Sequence, residues 1–294
     1  MMHEDLPQRR GILLAGGAGT RLHPVTRGVS KHLLPVFDKP LIYYPLCSLM
    51  EAGIRELLVI TSPRDASAFR QLLGDGNQWG VRLQYAEQPR PEGIAQALLI
   101  GADFLRGYAC ALALGDNILH GEAVAAAIHR AARRPAGATI FSVPVQDPQH
   151  YGVIQWDDAG RAIALDEKPA EPKSHDAIAG LYFYDEQAVS FASQLQPSAR
   201  GELEITDLNR RYLELGQLQV ESLKADTLWF DAGTPELLLA ASSRVAQWQS
   251  DRNQYVGCVE EVAYRQGFTT AGQLEELARD LPNAYGAYLM RLAK

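Results

Sequence analysis

A chain of 294 residues, 47% of them hydrophobic, is long enough to bury a large core and has the make-up of an ordinary globular protein. Its formal net charge of −7, with both signs mixed along the length, disfavours the basic face that nucleic acid requires but allows a local basic pocket for phosphates. Three scattered cysteines (Cys47, Cys110, Cys258) suggest neither a disulfide framework nor a zinc site, and no apolar run nears the ~20 residues of a membrane span, which points to a soluble, cytoplasmic protein.

Gly11–Ala15 (GILLA) is a short apolar run ending in glycines, and predicts a buried strand feeding a loop. Leu41–Ala52 reads as a helix, with Asp38 and Pro40 at its start and Gly53 just past its end. Leu57–Thr61 is a second buried strand, and Ser62–Asp65 opens a helix that runs to Gly74. Val81–Tyr85 alternates like a strand, Ile94–Leu105 reads as a helix, and Cys110–Leu114 is a further buried strand stopped by Gly115-Asp116-Asn117. Short buried strands alternating with helices indicate an α/β fold: a Rossmann-like, mostly parallel sheet flanked by helices. After Ala138 the pattern changes. Thr139–Val145, Gly152–Trp156 and Ala162–Asp166 read as strands joined by tight turns, hence antiparallel hairpins. From Pro235 onward the chain reads as mostly helical.

The chemistry begins at Gly16-Gly17-Ala18-Gly19-Thr20-Arg21-Leu22. Glycines after a buried strand let the backbone approach an anion and turn its N–H groups toward it, and Arg21 can add two hydrogen bonds to phosphate oxygens. A tight turn with no ligand would use the same glycines. The loop lacks the Gly-Lys-Ser/Thr ending of a P-loop, and Leu22 stands where a dinucleotide fingerprint needs its third glycine. Lys31 follows ten positions after Arg21, and two cations near one glycine loop can neutralise a triphosphate or a departing pyrophosphate. Asp116 ends a buried strand, where doubly wound sheets place ligands, although turn formation would also account for it. Asp231 is equally suited to capping the next helix. The histidines show no metal spacing and read as surface or packing residues.

Taken together, GILLAGGAGTRL, SKHLLP, DKPLIYYPL, GDN, EKP and GELEITD, in this order from Gly11 to Asp207, resemble the sugar nucleotidyltransferases. GELEITD and Gly74–Trp79 (GDGNQW) are most similar to the glucose-1-phosphate thymidylyltransferases among them. The resemblance implies that Gly16, Gly17, Gly19, Thr20 and Arg21 hold the nucleotide phosphates and that Gln88 and Gly93 read a thymine edge. It implies Mg²⁺ at Asp116 and Asp231, with Lys31 and Arg21 stabilising charge at the reacting phosphates. Tyr151, Gly152, Glu167, Lys168 and Ile178 would bind the sugar, and Arg200 its phosphate. The implied reaction joins dTTP and glucose 1-phosphate into dTDP-glucose and pyrophosphate, for activated deoxysugar synthesis of the dTDP-rhamnose type.

The resemblance also implies a catalytic core over residues 1–234, with a nucleotide-binding part at about 11–137 and an antiparallel sugar-phosphate-binding part at about 138–228. Residues 235–294 would form a helical interface or regulatory part of a homotetramer. There Glu261 and Arg265 would meet a feedback nucleotide sugar. Some positions depart from the family: His32 replaces its usual glutamine, Glu92 its usual aspartate, and Ile178-Ala179-Gly180 its commoner Val-Thr-Gly. These departures leave UTP, or another hexose 1-phosphate, as alternative substrates. A non-catalytic sensor of nucleotide sugars is a further alternative, although it would have no use for Arg21, Lys31, Asp116 and Asp231 together.

Overall fold

The computed structural model describes residues 7–224 and 227–294. The chain opens with β1 (Arg9–Ala15), the two-residue strands β2 (Pro35–Val36) and β3 (Lys39–Pro40), and helix α1 (Tyr43–Glu51). Strand and helix then alternate through β4 (Glu56–Thr61), α2 (Ala66–Leu73), β5 (Arg82–Glu87), α3 (Gln96–Ile100), α4 (Ala102–Leu105) and β6 (Ala109–Leu114). Next come β7 (Asn117–His120), α5 (Glu122–Arg133), β8 (Ala138–Pro144), β9 (Gly152–Trp156), β10 (Ala162–Glu167) and β11 (Asp176–Tyr184). Helices α6 (Ala188–Ala192) and α7 (Ile205–Glu214) lead to β12 (Leu218–Ser222) and β13 (Leu228–Asp231). Four helices follow: α8 (Pro235–Arg252), α9 (Val259–Arg265), α10 (Ala271–Arg279) and α11 (Ala284–Leu292). Among the described residues no helix is long and apolar enough to cross a membrane.

β5, β4, β1 and β6 lie side by side and parallel, as the alternating pattern predicts. β11 then pairs antiparallel with β6 and carries the same sheet into the second half of the chain. There β8 and β9 both pair with β11, β10 closes an antiparallel hairpin with β9, and β12 adds parallel to β8. Of the hairpins expected after Ala138 only β9–β10 forms, since β8 and β9 pair with β11 and not with each other, and these strands extend the first sheet instead of forming their own. Successive residues of a strand face opposite sides, so a strand covered on both faces is apolar throughout. In β1, Leu13 belongs to the same buried core as Leu46 of α1 and Ile128 of α5, while Ile12 belongs to the core that holds Leu98 of α3 and Leu208 of α7.

One local expectation is corrected. The segment Ile94–Leu105 is not one helix: at Gly101 a Cβ would lie 2.9 Å from Ile12 Cδ1, and the chain breaks into α3 and α4 there. The glycine-rich loop leads into three single 3₁₀ turns, Thr20–Leu22, Val25–Arg27 and Lys31–Leu33. A short ribbon also forms that the sequence pattern does not predict. β7 and β13 pair antiparallel, with Asn117 opposite Asp231 and His120 opposite Leu228. Thr234 then caps α8 by accepting from Leu237 N at 3.3 Å, with Pro235 in the first turn.

Candidate active site

The glycine-rich loop leaves the carboxyl end of β1, the edge at which open α/β sheets bind ligands. Gly19 takes a left-handed φ of 62° that closes the first turn, and its carbonyl accepts from Thr26 Oγ1 at 2.7 Å. The loop gathers side chains from distant segments. A Cβ on Gly16 would collide with Gln88 Oε1, and one on Gly17 would touch Lys31 Cε at 3.5 Å. Gln88 is 3% exposed and ends the β5 segment, near Gly93. Arg21 reaches away from its own loop to the end of β13, where a Cβ on Gly233 would lie 2.6 Å from Arg21 Nη2.

Asp116 and Asp231 meet through the β7–β13 ribbon, with Ala232 N donating to Asp116 O at 3.1 Å. Lys31 donates to Asp116 Oδ2, and Asn117 Nδ2 donates to its Oδ1 at 3.1 Å. Burial is the largest single influence and works against the Asp116 carboxylate, but the Lys31 charge, its hydrogen bond and that of Asn117 together with the neighbouring His32 outweigh it and hold the pKa well below the usual range. Asp231 shifts the other way: burial, then the neighbouring Asp116 charge, push it up to about 6. Its Oδ1 is buried and has no hydrogen-bond partner among the described residues. An orphaned carboxylate oxygen beside a second carboxylate is a donor set that suits a divalent cation. Among the described residues no group of three or more His, Cys, Asp or Glu could hold a metal, so two protein oxygens would need phosphate oxygens and water to complete a shell.

These two aspartates and Arg21 line a cavity of about 500 Å³. Tyr151, Gly152, Glu167, Lys168, Ile178 and Thr206 line it as well. Tyr151 packs edge-on against Trp229 of β13 with ring centroids 5.2 Å apart. Glu167 accepts from Thr206 Oγ1, so the carboxylate already sits in a polar network. Lys168 has a left-handed φ of 44°, a strained state for a non-glycine residue that recurs at functional sites. Arg200 is not part of the cavity wall; its Nη2 lies 2.7 Å from Glu204, 3.2 Å from Glu202 and 3.3 Å from Glu167. A phosphate would have to draw it from those carboxylates.

Glu261 and Arg265 lie elsewhere, 2.5 Å apart on α9, in a second cavity of about 520 Å³. Lys224, Trp248 and Arg252 also line it, and Arg252 stacks 3.8 Å above the Trp248 ring.

The model of the nucleotidyl transferase family matches residues 10–247, most of the chain. The chain belongs to the nucleotidyl transferase family. It is 52% identical over 286 residues to a glucose-1-phosphate thymidylyltransferase of Neisseria meningitidis, spanning 97% of this chain and 99% of the relative. To the glucose-1-phosphate thymidylyltransferase of Mycolicibacterium smegmatis it is 53% identical, over 96% of this chain and 98% of the other. A glucose-1-phosphate thymidylyltransferase structure from Bacillus anthracis superposes with a TM-score of 0.75 at 38% identity, covering 80% of this chain and 94% of that one.

In this nucleotidyl transferase, Asn117 is a residue that motif reading passed over. Its Oδ1 accepts from Gly180 N at 2.9 Å and Trp229 Nε1 at 3.1 Å, which leaves Nδ2 to orient Asp116. The available signal was its place in Gly115-Asp116-Asn117. His32 is a packing residue, as expected, but it packs inside the site. It is 2% exposed, bonded through Nδ1 to Ser30 Oγ at 3.0 Å, and tight against Gly115. Burial, with the Lys31 charge, lowers its pKa to about 3, so the imidazole is neutral near pH 7. The unfolded chain binds this proton near pH 6.5 and the folded chain does not, so stability is lost as pH falls below 6.5. Between pH 7 and pH 5 this one group is expected to remove about 2 kcal/mol. His32→Gln should flatten that part of a urea-unfolding pH series, and an unchanged slope would refute the assignment.

Proposed function

We propose that this nucleotidyl transferase transfers dTMP from dTTP to α-D-glucose 1-phosphate, releasing pyrophosphate and forming dTDP-glucose. The observation that carries the reading is the meeting of Arg21, Asp116 and Asp231, with Lys31 bonded to Asp116, at a cavity that Tyr151, Glu167 and Thr206 also line. The glycine loop, with Gly16, Gly17, Gly19 and Thr20, lies where a triphosphate would run. Gln88 and Gly93 lie beyond it, where the base would be read. High identity over nearly the full length to relatives named glucose-1-phosphate thymidylyltransferase supports this choice of substrates.

A phosphate oxygen of the sugar phosphate attacks the α-phosphorus in line, and the bond to the departing pyrophosphate breaks. That oxygen is anionic near neutral pH, so the chain need not supply a general base. Its contribution is positioning and charge: Arg21 and Lys31 face the phosphates, while Glu167 and Tyr151 orient the sugar. Arg200 would exchange carboxylate partners for the sugar phosphate. We assign Asp116 and Asp231 to magnesium, which when bound would neutralise phosphate charge. The second cavity, with Glu261 and Arg265, we assign to a feedback nucleotide sugar in a cytoplasmic homotetramer. Residues 235–294 would then act as its interface and regulatory part.

A substrate matrix tests this reading: pyrophosphate release with dTTP, UTP, dCTP and GTP against several hexose 1-phosphates. The largest kcat/KM is expected for dTTP with glucose 1-phosphate. Preference for UTP would overturn the nucleotide assignment, and silence with every pair would favour a sensor. In the same assay dTDP-rhamnose should inhibit non-competitively, whereas purely competitive inhibition would remove the second-site assignment.

A further inference from the structure

Gln88 carries a carboxamide whose two ends have nearly the same shape and opposite hydrogen-bonding character. Which end is left free decides what kind of base edge it can meet, and its neighbours fix the answer. Gln88 Nε2 lies 2.6 Å from Gln96 Oε1 and 3.4 Å from Gly93 O. Gln96, at the first position of α3, is itself an amide and could point either way. Glu92 removes that freedom. Its backbone N–H can only donate, and it bonds Gln96 Oε1 at 3.2 Å. Its carboxylate can only accept, and it takes Gln96 Nε2 at 2.8 Å. Gln96 must therefore turn its oxygen toward Gln88. Gln88 must answer with its NH₂, a choice that the Gly93 carbonyl reinforces. Only Gln88 Oε1 is left, and it is pressed against Gly16 of the phosphate-binding loop. Reversing Gln88 would set oxygen against two acceptors at once.

We propose that Gln96 is a positioning residue which, through Glu92, fixes the Gln88 carboxamide with its acceptor end toward the base. The site would then select a pyrimidine that bears an N3–H over one whose N3 is a bare lone pair. Thymine and uracil carry that proton; cytosine does not. The inference rests on the reading of Gln88 as the base-contacting residue given above, and it adds a source for the polarity of that contact.

Steady-state kcat/KM for dTTP and dCTP tests it with three variants. Gln96→Leu releases Gln88 to rotate and should lower the dTTP:dCTP ratio roughly ten-fold, mainly through the KM for dTTP, with kcat within about two-fold. Gln96→Lys offers only donors, so Gln88 should reverse, and the ratio should fall further toward dCTP. It also carries the test should the leucine variant fold poorly. Gln88→Leu separates the two layers. If it collapses the ratio while both Gln96 variants leave it intact, positioning is overturned and base reading stands. If it leaves the ratio unchanged, the base assignment falls and takes the positioning role with it.

Discussion

Asp116→Asn is expected to lower kcat by 10²-fold or more while leaving a folded protein, as measured by pyrophosphate release and by circular dichroism. The substitution keeps shape and Asn117 contact but removes the charge that faces Lys31 and, in our assignment, the metal. Two effects add. A charge-stabilising group at the reacting phosphates disappears, a loss on the scale of 10²–10³ in kcat. Lys31, only 11% exposed, is also left without its ionic partner, and breaking one half of a buried pair is costly in itself. Asp231 should respond as well. With the neighbouring charge gone, its pKa is expected to fall from about 6 toward the ordinary carboxylate value, visible by carboxyl NMR. Near-normal turnover by the folded variant would sink the metal and charge assignment for this pair.

Gly93→Ala should be strongly damaging for a change of a single methyl. Gly93 has a φ of 110°, a region that side chains rarely enter, and a Cβ there would lie 2.5 Å from Leu203 N and collide with its carbonyl oxygen. Neither backbone atom can rotate away, because Leu203 N donates to Glu92 O at 2.8 Å and Ala95 N donates to Leu203 O at 3.2 Å. The loop must therefore detach from the 198–204 segment, carrying Gln88 and Gln96 with it. A loss of roughly 3 kcal/mol or more in urea unfolding is expected, together with a raised KM for the nucleotide. A variant with wild-type midpoint and KM would show that the two segments are not joined in this way.

The strands of the parallel sheet were legible because burial on both faces leaves a near-continuous apolar run, as in GILLA and LLVIT. The glycine loop was legible because few residue types tolerate its geometry. β7 and β13 were not: each is four residues long, and each exists only through a partner more than a hundred positions away. The break of Ile94–Leu105 at Gly101 was not legible either, because the close approach of Ile12 there is a contact that no local pattern encodes. Among the site residues, Arg21, Lys31, Asp116 and Asp231 came from motifs and were brought together. Asn117 and Gln96 act by pointing other side chains, a role set by hydrogen-bond direction and not by spacing.

The passage of one sheet from β10 to β5 has a mechanical consequence. Strands that carry the glycine-rich loop, Asp116 and the Gly152–Glu167 side of the cavity are tied edge to edge by hydrogen bonds, so the two halves share a spine instead of a hinge. Capture of substrate then falls to the loops at the sheet's rim, above all 16–33, 88–95 and 198–204. On our assignment of the two subsites, the backbone between them should hold its distance through the catalytic cycle, setting the reacting atoms by frame.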